Sequence, residues 1–456
     1  MNATQESIEE VLAEPFALAQ LAADCNSAVA LPDETYAATR RTLLDTIGVA
    51  AAGATTDGGQ ASKRAALEIW GHGHSTIWFS TARVTSAGAA FVNASYAAAL
   101  DLDDGHRQAS GHPAAAVVPA VLAIAEQLGS SASRVLTATA IGYEVAVRVS
   151  AARDITRLRT TDTGLWCGVG VAAAAAWLLG ASTSVMTHAL SIAGQTATAQ
   201  LATGWTRLGH TVKEGIPWAT ANGLQAVSLA AAGHRGPIDI LDDMTTYDRQ
   251  RLLGAFGETW AIESAYFKLY SCCRWGHAAI DGAVALAARM HLRPDDIDVV
   301  LVETFDRALT LPNQAAPQSV EAAQYSIPFC VALALVHGPG SLLPMTETYL
   351  GDANVIALAE RIRLVSRDAY RDAFPATTPA RVTISAEGKV ETIEILLPKG
   401  EPQNPLSSLE RQNKFQRLAA EASLCQPQID ALIQAASSLG IYRSPEELFA
   451  ALRPAS

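Results

Sequence analysis

The sequence predicts a mainly α protein, with a large all-helical domain at residues 1–266 completed by 405–456, plus a smaller α+β domain at 267–404. Three observations predict it. Up to about Leu252, apolar residues recur at spacings of three and four with heavy use of alanine, which is the pattern of buried helices. Past Phe267 the chain turns β-branched and roughly alternating in short runs, which is strand patterning. A proline-rich link at 398–405 then leads to a helical pattern over 409–452, expected to pack back on the first domain.

Taken in order, helices are expected at 36–52, 87–100, 114–128, 131–153, 168–179, 185–193 and 217–232. Pro113 suits a helical first turn, where no N–H partner is needed. These segments lack a wide polar face, so each reads as covered on several sides by closely approaching neighbours. In the second domain 298–305, 380–385 and 392–397 read as strands, with Glu387-Gly388 as the turn between the last two. Helices are expected there at 277–290, 325–336 and 354–361. There is no internal repeat.

The totals exclude several function classes. With 33 basic against 45 acidic residues and a net charge of −12, nucleic acid and anionic membrane surfaces are poor partners, and an anionic substrate needs a local basic pocket. The six cysteines (25, 167, 272, 273, 330, 425) show no CxxC spacing, which suits buried thiols in a reducing cytoplasm. Residues 1–14 are acidic and polar, the wrong composition for a leader. The most apolar stretch, 165–179, is too short and too rich in Ala and Gly to span a bilayer. A soluble, cytoplasmic protein is expected.

Within a chain that is 49% hydrophobic and 17% charged, residues 101–113 gather three carboxylates, two imidazoles and a guanidinium. Polar groups that dense seldom come from packing alone. The segment reads as a loop between two buried helices, the usual place for site residues on a rigid scaffold.

Several stretches together resemble the MmgE/PrpD family, which holds 2-methylcitrate dehydratases, cis-aconitate decarboxylases and iminodisuccinate epimerase. They begin at Asp45, Asp101, Thr163, His210, Phe267, Ala323 and Lys399, in the family's order and across nearly the whole chain. The resemblance implies a large helical domain, a smaller α/β lid domain, a site in the cleft between them and a homodimer. It also implies no metal and no organic cofactor. The family's pattern carries over to Asp101, His112, Lys213, Lys268 and Tyr325. It departs where the decarboxylases have a threonine after the acidic pair and this chain has Gly105. It departs again where they have a histidine two residues before a Thr-Gly and this chain has Thr161, which counts against decarboxylation. The neighbours His106 and Arg107 resemble the iminodisuccinate epimerase branch.

Reactions of this family make or quench a carbanion beside a carboxylate, so the site must neutralise the substrate and stabilise an enediolate. Lys213, Lys268, Arg107, Arg274, His112 and His277 are the candidate cations, and a lysine among cations can lose its proton and serve as base. An epimerase needs proton-handling groups on both faces of one carbon: Lys213 or His112 on one side, Lys268 or Tyr143 on the other. Asp101 would orient a base. His106, Arg107, Thr161, Arg274, His277 and Tyr325 are expected to bind substrate.

Each assignment has a structural alternative. The loop histidines could bond only backbone, and the aspartates or Thr161 could cap helices. Lys213, Lys268 and Tyr325 could lie apart from any site. Arg274 and His277 could form a buried salt bridge, and Tyr143 could be plain core.

Three other signals fail. Gly168-Val-Gly170-Val-Ala-Ala173 fits GxGxxA but follows no strand, so it reads as a packed helix rather than a dinucleotide site. His72-Gly-His74 and Cys272-Cys273 lack further ligands at metal-site spacing. No P-loop or GxSxG elbow is present. The first expectation is therefore a cofactor-independent isomerase moving an α-proton on a di- to tetracarboxylate. A dehydratase-like lyase is the alternative, and a non-catalytic carboxylate-binding protein the third.

Overall fold

Hydroxyl caps mark the starts of four of the early helices. The computed structural model describes residues 15–158, 160–197 and 211–454; residues 1–14 and His210, both used above, lie outside them. The chain opens with α1 (Ala17–Ser27), α2 (Asp33–Gly53) and α3 (Asp57–Ile69). A small hairpin, β1 (His72–Thr76) with β2 (Arg83–Val84), follows in a region read as wholly helical. His72 and His74 lie on its exposed strand. Next come α4 (Ser86–Ala98), α5 (Pro113–Leu128), α6 (Ala132–Ala151), α7 (Cys167–Leu178), α8 (Thr183–Gln195), α9 (Ile216–Ala231) and α10 (Arg249–Leu253). Thr56, Thr85, Ser131 and Ser182 each accept a backbone N–H of the first turn of α3, α4, α6 and α8, typically worth about 1 kcal/mol apiece.

Small side chains let these helices touch backbone to backbone. A Cβ on Gly170 of α7 would sit 2.2 Å from the Gly142 carbonyl of α6. The glycines of the GxGxxA run thus serve helix packing, as the missing strand before them indicated.

The second part runs α11 (His277–Met290), β3 (Ile297–Thr304), α12 (Val320–Gln324), α13 (Ile327–His337), α14 (Ala353–Ala359), β4 (Ile362–Ser366), β5 (Ala380–Ala386) and β6 (Lys389–Ile395). Its sheet is mixed, in the order β4-β3-β5-β6, with β3 parallel to β4 and the other pairs antiparallel. Two expectations change. The helix expected at 325–336 begins at Ile327, where the Ser326 side chain caps its first turn. The helix expected at 354–361 ends at Ala359, and the chain re-enters the sheet as β4, a strand the sequence reading missed.

Two main apolar cores result. One joins the early helices to Leu406, Phe415, Leu432 and Leu448, which come from the region of α15 (Ser408–Glu421), α16 (Gln426–Ser437) and α17 (Pro445–Ala451). The other is built from residues of 270–386, around β3, β5, α11 and α13. The protein is therefore mainly helical with one small mixed sheet. Among the described residues, no helix is long and apolar enough to cross a membrane.

Candidate functional site

Between α4 and α5 the chain cannot stay helical, because Asp101 takes a left-handed φ of 49° and Pro113 begins the next helix. The intervening loop is held by cations and imidazole rather than by secondary structure. The Lys268 ammonium donates to the Asp101 carbonyl (2.9 Å) and carboxylate (2.6 Å). Lys414 of α15 donates to the Leu102 carbonyl (3.1 Å) and to Asp45 of α2 (2.6 Å). His112 Nδ1 lies 2.7 Å from the Asp104 carbonyl. A carbonyl can only accept, so Nδ1 carries the hydrogen and Nε2 is the titrating nitrogen.

The loop forms one wall of a recess of about 520 Å³, open space at its mouth included. Asp101, His106, Arg107, His112, Thr161, Lys268, Arg274 and Tyr325 line it, as do Glu214, Tyr266, Trp275 and Phe374. Lys213 does not itself line the recess; its ammonium stands over the ring of Tyr325, which does (5.8 Å), and donates to Gln324. Residues far apart in sequence are thus brought together. Tyr143 and His277 are fully buried and do not line the recess.

Backbone strain concentrates here. Lys213, Glu214 and Gly215 are three successive left-handed residues, with φ of 50°, 56° and 71°. For the two that carry a Cβ this costs about 1–2 kcal/mol each. The Glu214 carboxylate anchors the turn by accepting from the Thr163 N–H (2.8 Å) and hydroxyl (2.6 Å). The same hydroxyl oxygen accepts the His112 N–H (3.1 Å), so Thr163 ties the turn to the loop. Strain kept by such clamps is typical of functional sites.

Charge is sorted within the recess. Burial works to raise Asp101, but Lys268, His112 and Lys213 around it hold its carboxyl below the usual range. Burial pushes Lys213 down from the usual lysine value, toward the neutral amine. His112 goes the other way: burial opposes its charge, yet Asp103, Glu214 and Asp101 raise it, against Lys268. Lys268 is raised as well, because Asp101 and Asp103 outweigh its burial, so it stays an ammonium. Burial pushes His106 down to about 4, which keeps that ring neutral.

Three expected roles are corrected by hydrogen bonding. All five Arg274 donors have internal acceptors: Glu401 through Nε and Nη2, Pro398 and Lys399 carbonyls, and His277 Nδ1. Arg274 therefore holds the 398–401 turn rather than offering a hydrogen bond to substrate. His277 accepts from Arg274 at Nδ1 and faces the Cys272 carbonyl at Nε2 (3.4 Å), and burial lowers it far below the usual value. It supplies no positive charge. The Tyr143 hydroxyl donates to Asp104 (2.8 Å), behind the loop, so it does not face a substrate carbon. Arg107 is different. Its Nε and Nη2 bond Glu401 and Thr378, while Nη1 has no acceptor among the described residues.

Sequence reasoning missed Glu214, Tyr266, Gln324 and Glu401. Glu214 adjoins Lys213 and Gln324 adjoins Tyr325, both of them chosen, whereas Glu401 lies in the stretch that begins at Lys399, where no site residue was expected. Tyr266 explains Gly105, where a Cβ would fall 2.2 Å from the Tyr266 ring and hydroxyl. The phenol fills that space, with the Arg107 and Arg274 guanidiniums 5.0 and 4.9 Å from its ring centre.

Asp101, Asp103 and His112 bring potential metal-ligand atoms within 4.8 Å of one another. Two of the three are engaged, since Lys268 supplies the cation at Asp101 and His112 Nδ1 bears a hydrogen toward the Asp104 carbonyl, while Asp103 Oδ2 has no hydrogen-bond partner among the described residues. The residues fit a proton-transfer site better than a metal site.

The geometry can be set beside known proteins. The chain is similar to the cis-aconitate decarboxylase of Homo sapiens, 27% identical over 360 residues that make up 73% of each chain. It is similar to the cis-aconitate decarboxylase of Aspergillus terreus, 25% identical over 284 residues, 57% of each chain. A cis-aconitate decarboxylase-like protein of Aspergillus oryzae is 24% identical over 430 residues, 86% of this chain and 87% of that one. Residues 17–253 match the MmgE/PrpD N-terminal domain and residues 270–438 the MmgE/PrpD C-terminal domain. With both domains matched in order, the chain belongs to the MmgE/PrpD family.

Proposed function

We propose that this chain is a cofactor-independent epimerase that removes and returns an α-proton on a polycarboxylate such as iminodisuccinate. The observation that carries the reading is the opposite displacement of two basic groups around one carboxylate: Lys213 toward the amine, His112 toward the imidazolium, with Asp101 influencing both. Groups whose environments drive their proton affinities apart are suited to act as base and acid. Lys213 takes the α-proton, and the C–H electron pair moves into the adjacent carboxylate as an enediolate. Lys268 and the spare Nη1 of Arg107 offset its charge. His112 Nε2 then returns a proton to the opposite face.

A lyase acting on a hydroxylated tricarboxylate is the second reading, supported by the decarboxylase names of the similar proteins. Against decarboxylation stand Thr161, a hydroxyl in the recess where the resemblance places an imidazole, and Tyr266 in the space of the expected threonine. Proton NMR in D2O with iminodisuccinate, 2-methylcitrate and cis-aconitate tests the choice. Deuterium entering an α-position with loss of optical purity and no vinyl signal supports the epimerase. A new vinyl signal from 2-methylcitrate, or loss of CO2 from cis-aconitate, refutes it in favour of the lyase.

A further inference from the structure

Glu214 is the acidic residue of the recess to which the steps above give no part. Its two carboxylate oxygens have different surroundings. Oε2 is fixed by both Thr163 donors. Oε1 has no hydrogen-bond donor among the described residues, and its near neighbour is His112 Nε2 at 4.0 Å. The same nitrogen lies 3.8 Å from Asp101 Oδ1, so it stands between two carboxylates and bonds neither. They are not equivalent. Asp101 carries the Lys268 ammonium on that very oxygen, which keeps it ionised, whereas Glu214 has no cationic side chain in hydrogen-bond contact among the described residues. The strained left-handed turn aims Glu214 at the recess beside Lys213.

We propose that Glu214 is a second acid–base group of the recess, holding with His112 a shared proton that reloads the imidazole between turnovers. The inference rests on the epimerase reading for its use. After one turnover Lys213 is an ammonium and His112 is neutral, a form suited only to the epimer just made. Glu214 then takes a proton from solvent at the mouth and passes it to His112 Nε2, which restores the carboxylate and the imidazolium. Lys213 gives its extra proton to solvent, so one proton enters and one leaves and the cycle balances. The charged and titratable groups facing His112 are Asp101, Asp103 and Asp104 from the loop, Lys268 from the segment before α11, and Glu214 from the turn before α9. Burial raises Glu214 despite His112. It thus takes a proton more readily than Asp101.

The test is a titration of His112 in the full-length protein by NMR of 13C-labelled histidine, with His112→Gln identifying the signal. Wild type is compared with Glu214→Gln, whose side-chain carbonyl still accepts from Thr163. Loss of the facing carboxylate is expected to lower the His112 midpoint by about one unit, a tenfold change in proton affinity. Should Glu214→Gln not fold, Glu214→Asp keeps the charge but draws it back by one carbon, and a smaller downward shift is expected. In whichever assay turnover is found, Glu214→Gln is expected to lower kcat by about 10²-fold with KM within a few-fold. An unchanged His112 titration in the folded variant overturns the proposal. A shifted titration in a protein that exchanges no α-proton leaves the pair standing and sinks the epimerase reading instead.

Discussion

Lys414 supports the loop without lining the recess, so its removal separates support of the site from its chemistry. It is 2% exposed, and its ammonium bonds both Asp45 and the Leu102 carbonyl. Lys414→Met keeps most of the volume but leaves Asp45 buried without its cation and Leu102 without its donor. Removing one partner of a buried ion pair costs about 3–5 kcal/mol. Asp45 can relieve this by taking a proton, since burial already raises it despite Lys414. Its folded value then stands further above the unfolded one, and the folded state binds the extra proton. Stability of the variant therefore falls as pH rises from the ordinary 3.8 through that raised value, and the loss against wild type is larger at alkaline than at acid pH. Urea unfolding followed by tryptophan fluorescence across pH measures this. Lys414→Met with Asp45→Leu removes both charges and is expected to recover most of the stability. Turnover is expected to stay depressed in the double variant, because the Leu102 carbonyl still lacks its donor. A loss below about 1 kcal/mol, or one independent of pH, refutes the buried pair as support of the loop.

Three further outcomes follow from the same geometry. Lys213→Ala is expected to lower kcat/KM by about 10²–10⁴-fold with partial rescue by small primary amines, whereas Lys213→Arg stays inactive because a guanidinium keeps its proton; wild-type activity rises with pH through the lowered lysine value, read from a pH–rate profile. Gly105→Thr drives a side chain into Tyr266 and disturbs its contacts with the Arg107 and Arg274 guanidiniums, costing about 1–3 kcal/mol and raising KM; adding Tyr266→Ala should return the stability in thermal melts. Burial and Asp103 push Asp104 up to about 7 from its ordinary 3.8, so wild type loses stability as pH rises through that window; melting curves of Asp104→Asn should gain on wild type across it, and a constant difference would contradict the shift.

The helices and the loop at 101–113 were legible because periodicity and polar density are local properties of a chain this apolar. The early strands were not, since β1 and β2 are five and two residues long and take their identity from each other. Likewise β4 gains strand character by pairing with β3 across some sixty positions. Among site residues, Lys213 and Lys268 were found through the family pattern and not through spacing. That Glu401 would take both arginines could not be read, because the Arg107–Glu401 contact spans 294 positions. Nor does a helical pattern reveal that the Tyr143 hydroxyl meets Asp104 rather than the recess. Gly105 showed that a side chain was absent, while only the fold shows what replaced it.

The reach of Lys414 has a consequence for how the protein is made. Leu102 and Lys414 stand 312 positions apart. At about 5–20 residues per second, roughly 15–60 s of synthesis separate them. Through that interval the nascent loop carries Asp101, Asp103 and Asp104 with its last support still unmade, while the helices around it are free to collapse. Docking of α15 is then the event that dehydrates the loop and sets its carbonyls. A ribosome-bound chain stopped short of that helix holds every residue lining the recess and is still expected to lack a working recess.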